Sequence, residues 1–212
     1  MSVTYERFET GLTYAEYRAQ MTRNQDRFDA TEATVSLPAD ELTYFANLDQ
    51  PLHVLVLAED WCGDVIANLP VLGRLAAESG KLNLRVFLRD QNLDLIDQYL
   101  KQGQFRSIPV FVFFDHAFQE LGHWIERPAR VTQLLQDFRA NLFSSDPVLR
   151  EFAPDISVAQ LPEEARLHLT QANATFREEN RALFDGEVVR EIRAIVEAGL
   201  ANTPTASEQS HA

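Results

Sequence analysis

The chain has 212 residues, and its 32 acidic side chains against 19 Lys plus Arg leave a formal charge of −13. Phosphate binding needs clustered basic side chains, and with Lys81 and Lys101 as the only lysines the composition excludes nucleic acid and an anionic membrane surface as partners. A hydrophobic fraction of 45% with 14 Phe is enough for a core, while a single cysteine excludes an intrachain disulfide and a cysteine-rich zinc site.

The N-terminal stretch reads as helices. Tyr14, Tyr17, Arg18 and Met21 fall at helical spacing, and Thr13 with Glu16 makes a capping box. A second short helix is predicted over Ala39 to Leu48, after the stop at Leu37-Pro38. The period then changes. Leu52 to Leu57 is a short apolar run of the kind buried inside a sheet. Cys62 to Ala77 returns to helical spacing, with a kink predicted at Pro70 and a stop at Gly80.

Leu82 to Leu88 alternates as a strand does, and Leu93 to Leu100 predicts a helix ended by Gly103. Val110 to Phe114 predicts a buried strand, then come a turn at Asp115-His116, a strand at Leu121 to Ile125 and a helix at Val131 to Leu142. The first two strands can pair in parallel through a right-handed crossover, whereas the last two must be antiparallel. The expected architecture is therefore α/β, a mixed four-stranded sheet flanked by helices.

Beyond it, a helix opens at Leu161-Pro162-Glu163-Glu164 and runs toward Leu183, with a break predicted at Asp185-Gly186. The apolar stripe Val188, Val189, Ile192, Ile195 and Val196 on a last helix predicts docking onto the core. Charge follows the same division: residues 51–140 are nearly neutral, and the acid lies in the flanks. The organisation expected is an N-terminal helical extension at 1–49, a core at 50–142, a C-terminal helical extension at 143–202 and a disordered tail at 203–212. There is no N-terminal apolar run and none near the ~20 residues that span a bilayer, so a cytoplasmic location is expected.

Cys62 stands where the first strand meets the following helix, in Ala58-Glu59-Asp60-Trp61-Cys62-Gly63-Asp64. A sulfur at a helix N-terminus faces unpaired N–H groups and the positive end of the helix dipole, which favour thiolate. Gly63 lets a reacting group approach the backbone. Glu59, Asp60 and Asp64 pull the other way, because nearby carboxylates raise a thiol's pKa. Other residues carry blander readings. Asp94 is placed to cap the next helix. Arg106 and Arg127 are read first as surface ion pairs, and second as holders of an anionic group near the thiol. Trp61 and Trp124 are packing residues. The five histidines show no ligand spacing, so neither a metal nor another cofactor is expected.

Trp61-Cys62-Gly63, preceded by Ala58-Glu59, resembles the thioredoxin motif Trp-Cys-Gly-X-Cys. Arg106-Ser107-Ile108-Pro109 resembles the segment in which thioredoxins carry a cis proline facing the active-site cysteine. The order of strands and helices over residues 50–142 is that of the thioredoxin fold. The resemblance implies Cys62 as the catalytic thiol, with Trp61, Gly63, Asp64, Ile108 and Pro109 at the substrate. It also implies that the Ile108 backbone can pair with an extended peptide.

Two positions depart from the family pattern. Val65 stands where the second, resolving cysteine belongs, and Val56 stands where thioredoxins keep a buried acid. Both losses remove the second step of disulfide reduction and leave the first. The expected function is monothiol thiol-disulfide exchange through Cys62. Its partner would be a protein disulfide or a low-molecular-weight thiol such as glutathione, and an external thiol would act as resolver. The alternative is a redox-silent binding module on the same fold. A dimer holding an iron–sulfur cluster, as monothiol glutaredoxins do, fits less well, because the motif is Trp-Cys-Gly-Asp rather than Cys-Gly-Phe-Ser. No oligomeric state follows from the residues.

Overall fold

The computed structural model describes residues 3–202. Strands β1 (Leu52–Ala58), β2 (Leu82–Leu88), β3 (Val110–Phe114) and β4 (Glu120–Ile125) form one sheet in the order β2-β1-β3-β4. β1 and β2 are parallel, and β3 is antiparallel to both β1 and β4. The mixed four-stranded sheet is the one expected. The central strands β1 and β3 are buried at every position except the half-buried His53. Covered on both faces, they read as continuous apolar runs, whereas edge strand β4 is exposed or half-buried except at Trp124. One consequence places the site. β1, β2 and β4 end, and β3 begins, at the same end of the sheet.

Helix α5 (Gly63–Ser79) supplies the crossover between β1 and β2. Cys62 is its N-cap, and Gly80 closes it at φ 64°, a left-handed conformation that favours glycine. The helix runs on through the buried Pro70. That proline removes one intrahelical hydrogen bond, and its apolar ring adds to the core.

Helices from both ends of the chain complete the layers. α1 (Tyr5–Glu9) seats Phe8 in the core, and α2 (Tyr14–Gln20) carries the expected capping box from Thr13 and Glu16. Leu12 pairs antiparallel with Val86, so the chain between these helices is bound to the β2 edge. α3 (Gln25–Thr34) and α4 (Ala39–Ala46) pack on α5, and α9 (Arg181–Asn202) packs on β4 and α5. Phe8, Tyr17, Phe28 and Phe45, together with Val188, Val189, Ile192 and Val196, belong to the same apolar cluster as the sheet. The predicted stripe on the last helix therefore docks on the core.

A smaller cluster of Phe143, Leu149, Leu161, Ala165 and Leu169 joins the end of α7 (Ala129–Ser145) to α8 (Glu163–Glu179). Stacking of Phe138 on Phe176, with centroids 4.1 Å apart, links that pair of helices further.

Three expectations need correction. α6 is a single turn, Leu93–Ile96, and the chain to Gly103 continues as turns. Its N-cap is Asn92 rather than Asp94; the Asn92 amide donates to the Leu88 carbonyl instead. The C-terminal helices part at Asn180, and Asp185-Gly186 lies inside α9. Asp185 is buried there, paired with Arg181 one turn back at 2.9 Å and accepting from the Ser36 N–H. Gly186 lies where α9 passes Pro38, 3.4 Å from a would-be Cβ. Residues that suggest a turn thus lie inside the last helix. The tail expected at 203–212 lies outside the described residues. No helix among the described residues is long and apolar enough to cross a membrane.

Candidate functional site

The shared end of the sheet gathers four segments: Glu59 to Cys62 after β1, Arg89 after β2, Ile108-Pro109 before β3, and Glu126-Arg127 after β4. Cys62 is half-buried. Its thiol donates to the main-chain oxygen of Ile108 at 3.5 Å, and the Ile108–Pro109 peptide is cis. The first turn of α5 turns the Val65 and Asp64 N–H groups toward the sulfur. Val65 is wholly buried beneath the motif, as is Val56 in β1.

Burial is the largest influence on the sulfur and pushes the Cys62 thiol up. The Val65 and Asp64 N–H groups, which face the sulfur without closing a side-chain cap bond, work to lower it, and the Asp64 and Glu126 carboxylates add to the rise. The net direction is upward. The helix N-terminus is present, but desolvation outweighs it.

Asp64 is held in a fork. Arg127 reaches one carboxylate oxygen at 3.5 Å and Arg177 of α8 reaches the other at 3.5 Å. Burial raises the Asp64 pKa against the pull of both arginines. Arg127 also pairs with Glu126, which takes a second bond from Lys101 at 2.6 Å. Burial works to raise Glu126, and the bonds from Lys101 and Arg127 overcome it, holding that carboxyl below its ordinary range. Only about 20 Å³ is open among Arg127, Arg177 and Arg181, space for one water and not for a carboxylate-bearing ligand.

On the other flank, Asp60 accepts from the Thr22 and Arg23 N–H groups at 2.7 and 2.9 Å, which fixes the motif to the link between α2 and α3. Glu59 is buried and accepts from the Asp90 N–H at 2.8 Å. Trp61 is 42% exposed, with the Arg89 guanidinium 4.9 Å over its ring. Arg89 also donates to the Arg106 main-chain oxygen at 3.1 Å and grips Asp90. It thereby ties Trp61 to the loop before Pro109.

The structure brings Trp61, Cys62, Gly63, Asp64, Ile108 and Pro109 together. Arg127 joins them, whereas Arg106 is held by Asp97 in a two-bond pair at 2.6 and 2.8 Å. Trp124 lies apart, buried and stacked on Phe111 at 5.0 Å. Arg89 and Arg177 join the candidate site without having been singled out in the sequence. A cation directly after a strand ending beside the motif was a usable signal for Arg89. Arg177 had none, because it stands 113 residues from Asp64 on a helix whose packing follows no local pattern.

A cysteine at the N-cap of the crossover helix, facing a cis proline before an antiparallel strand, defines a thioredoxin-fold protein. A family model described as thioredoxin matches residues 11–139. The chain belongs to the thioredoxin family. No curated protein matches it. Among solved structures, a protein of unknown function from Pseudomonas aeruginosa is similar at a TM-score of 0.64 and 18% identity, with 92% of this chain and 98% of that chain covered. An HIV epitope-scaffold is similar at a TM-score of 0.60 and 16% identity, with the same coverage of 92% and 98%. Both likenesses concern the fold.

Proposed function

We propose that the chain performs monothiol thiol-disulfide exchange through Cys62. The observation that carries this reading is the position of the sulfur. Cys62 is the N-cap residue of α5, two backbone N–H groups face its sulfur, and the sulfur lies 3.5 Å from the Ile108 oxygen beside Pro109. A partner chain paired along Ile108 would present its own sulfur to Cys62.

The Cys62 thiolate attacks one sulfur of the partner disulfide. A Cys62–sulfur bond forms, the partner's S–S bond breaks, and the other partner sulfur leaves as a thiolate. An external thiol, deprotonated, then attacks the partner sulfur of the mixed disulfide and frees the Cys62 thiolate. The electrons balance as one disulfide exchanged for another. Val65 supplies no internal thiol for the second step.

The raised pKa shapes the kinetics. The thiolate is a minor species at neutral pH, so attack is slow and quickens with alkali. A high-pKa thiol is also a poor leaving group, so attack at the partner's sulfur displaces Cys62 slowly and the mixed disulfide persists. These properties suit capture of a partner better than rapid turnover.

The test is trapping. Cell extract is incubated with the protein, quenched with acid, and species disulfide-linked to Cys62 are identified by mass spectrometry. A defined set of adducts that vanishes in Cys62→Ser is the expected result. Absence of adducts at both pH 7 and pH 9 sinks the exchange reading.

The same raised pKa favours a second reading, a docking module on the thioredoxin fold in which Cys62 stays a protonated thiol. Under that reading Cys62→Ser retains every partner that the unaltered protein pulls down without crosslinks.

A further inference from the structure

Asp64 is the residue of the motif nearest in chemistry to a liability. Its carboxylate lies beside Cys62 and opposes formation of the thiolate. Glu126 acts in the same sense from the loop after β4, and Tyr17 of α2 is the remaining titratable neighbour. Facing Asp64 are Arg127 from that loop and Arg177 from α8, each 3.5 Å from a different carboxylate oxygen. Arg127 divides its charge between Asp64 and Glu126. Arg177 has no acidic partner besides Asp64 among the described residues. Its guanidinium is two-thirds buried, where pairing is weakly screened.

We propose that Arg177 is a positioning residue for the Cys62 thiol: it acts through Asp64, holding that carboxylate in the fork with Arg127 and offsetting its negative charge beside the sulfur. The C-terminal helix α8 is then a working part of the site. Its packing carries the consequence further. α8 is anchored by the smaller apolar cluster and by Phe176 stacking on Phe138 of α7. Any shift of this helix pair withdraws a charge from the thiol's surroundings.

The proposal concerns the thiol used in the proposed exchange, but its test needs no partner or reductant. The pH profile of Cys62 alkylation by iodoacetamide, followed by mass spectrometry, reads the thiolate directly. Its outcome is therefore separate from that of the trapping experiment.

Arg177→Met is expected to move the midpoint upward and slow alkylation at pH 7 roughly threefold to tenfold, the range for one charge acting across a partly buried site. Arg177→Lys restores much of the rate. Asp64→Asn moves the midpoint downward, and adding Arg177→Met to Asp64→Asn changes nothing more. An unchanged profile in a folded Arg177→Met protein overturns the proposal. So does a shift of equal size in the Asp64→Asn background, because Arg177 would then act without Asp64. Should Arg177→Met fail to fold, Asp64→Asn alone decides: an unmoved or raised midpoint overturns it.

Discussion

The Cys62 thiol donates to the Ile108 main-chain oxygen at 3.5 Å, a bond that only the protonated sulfur can make. This agrees with a folded-state pKa pushed above that of a free thiol, mainly by burial. The pH profile of alkylation should therefore have its midpoint on the alkaline side of a small-molecule thiol measured alongside. The linkage has a definite sign. The group binds its proton more tightly when folded, so its contribution to stability is complete below the unfolded thiol's pKa. It is lost as pH rises through the folded value. A midpoint on the acid side of the free thiol contradicts both the burial and the hydrogen bond.

Val65 occupies the place of a second thiol on the first turn of α5 and is fully buried. Val65→Cys should restore a pair one turn apart and cost about 1 kcal/mol in packing. On oxidation with glutathione disulfide, the variant should lose both thiols in a titration without forming a disulfide between chains. Mixed disulfides with partners should become short-lived, because the introduced thiol attacks the Cys62 sulfur within the same molecule. A variant that keeps two free thiols under those conditions shows that the first turn cannot bring the sulfurs together.

Much of the scaffold is legible in the sequence, for reasons that differ by element. β1 and β3 declare themselves as apolar runs because both of their faces are covered. The capping box at Thr13 and Glu16 is a local device and is visible locally. α3 is not visible, since it buries one large side chain, Phe28, and shows no apolar stripe. The break at Asn180 and the continuous helix through Gly186 are also hidden. Asp185 there is held by Arg181 and by the distant Ser36 N–H, contacts that no local pattern announces. At the site, the motif names Cys62 and Pro109. The direction of the thiol's pKa is set instead by burial, a property of the whole packing.

Arg89 links Trp61 to the loop before Pro109, stacking at 4.9 Å and donating to the Arg106 oxygen at 3.1 Å. Arg89→Ala should remove a stacking contact of about 0.5–1 kcal/mol and leave the fold intact. The Trp61 ring should become more accessible, seen as stronger quenching of tryptophan emission by acrylamide. Trp124 is buried in both proteins and provides a constant background. Arg89→Lys should fall between the two, since a lysine can sit over the ring but cannot grip Asp90 with two bonds. Identical quenching in all three proteins would falsify the stacking role.

Two glycines of α9 offer a controlled comparison of how the last helix meets the body. A Cβ at Gly199 would stand 2.5 Å from both the Cβ and the main-chain oxygen of Leu121 in β4. Backbone cannot yield there, so Gly199→Ala must lift the helix from the sheet. Nearby, Ile195 already covers Gly122, where a Cβ would stand 2.8 Å from the Ile195 Cγ2. A Cβ at Gly186 would meet nothing closer than Pro38 at 3.4 Å, an ordinary contact. Gly199→Ala should destabilise by roughly 1–3 kcal/mol, as overpacking does. Gly186→Ala should be neutral or gain up to about 1 kcal/mol from helix propensity. Urea denaturation of the two variants, with equal slopes, gives the difference. Equal midpoints would mean that α9 does not approach β4 as closely as Leu121 requires.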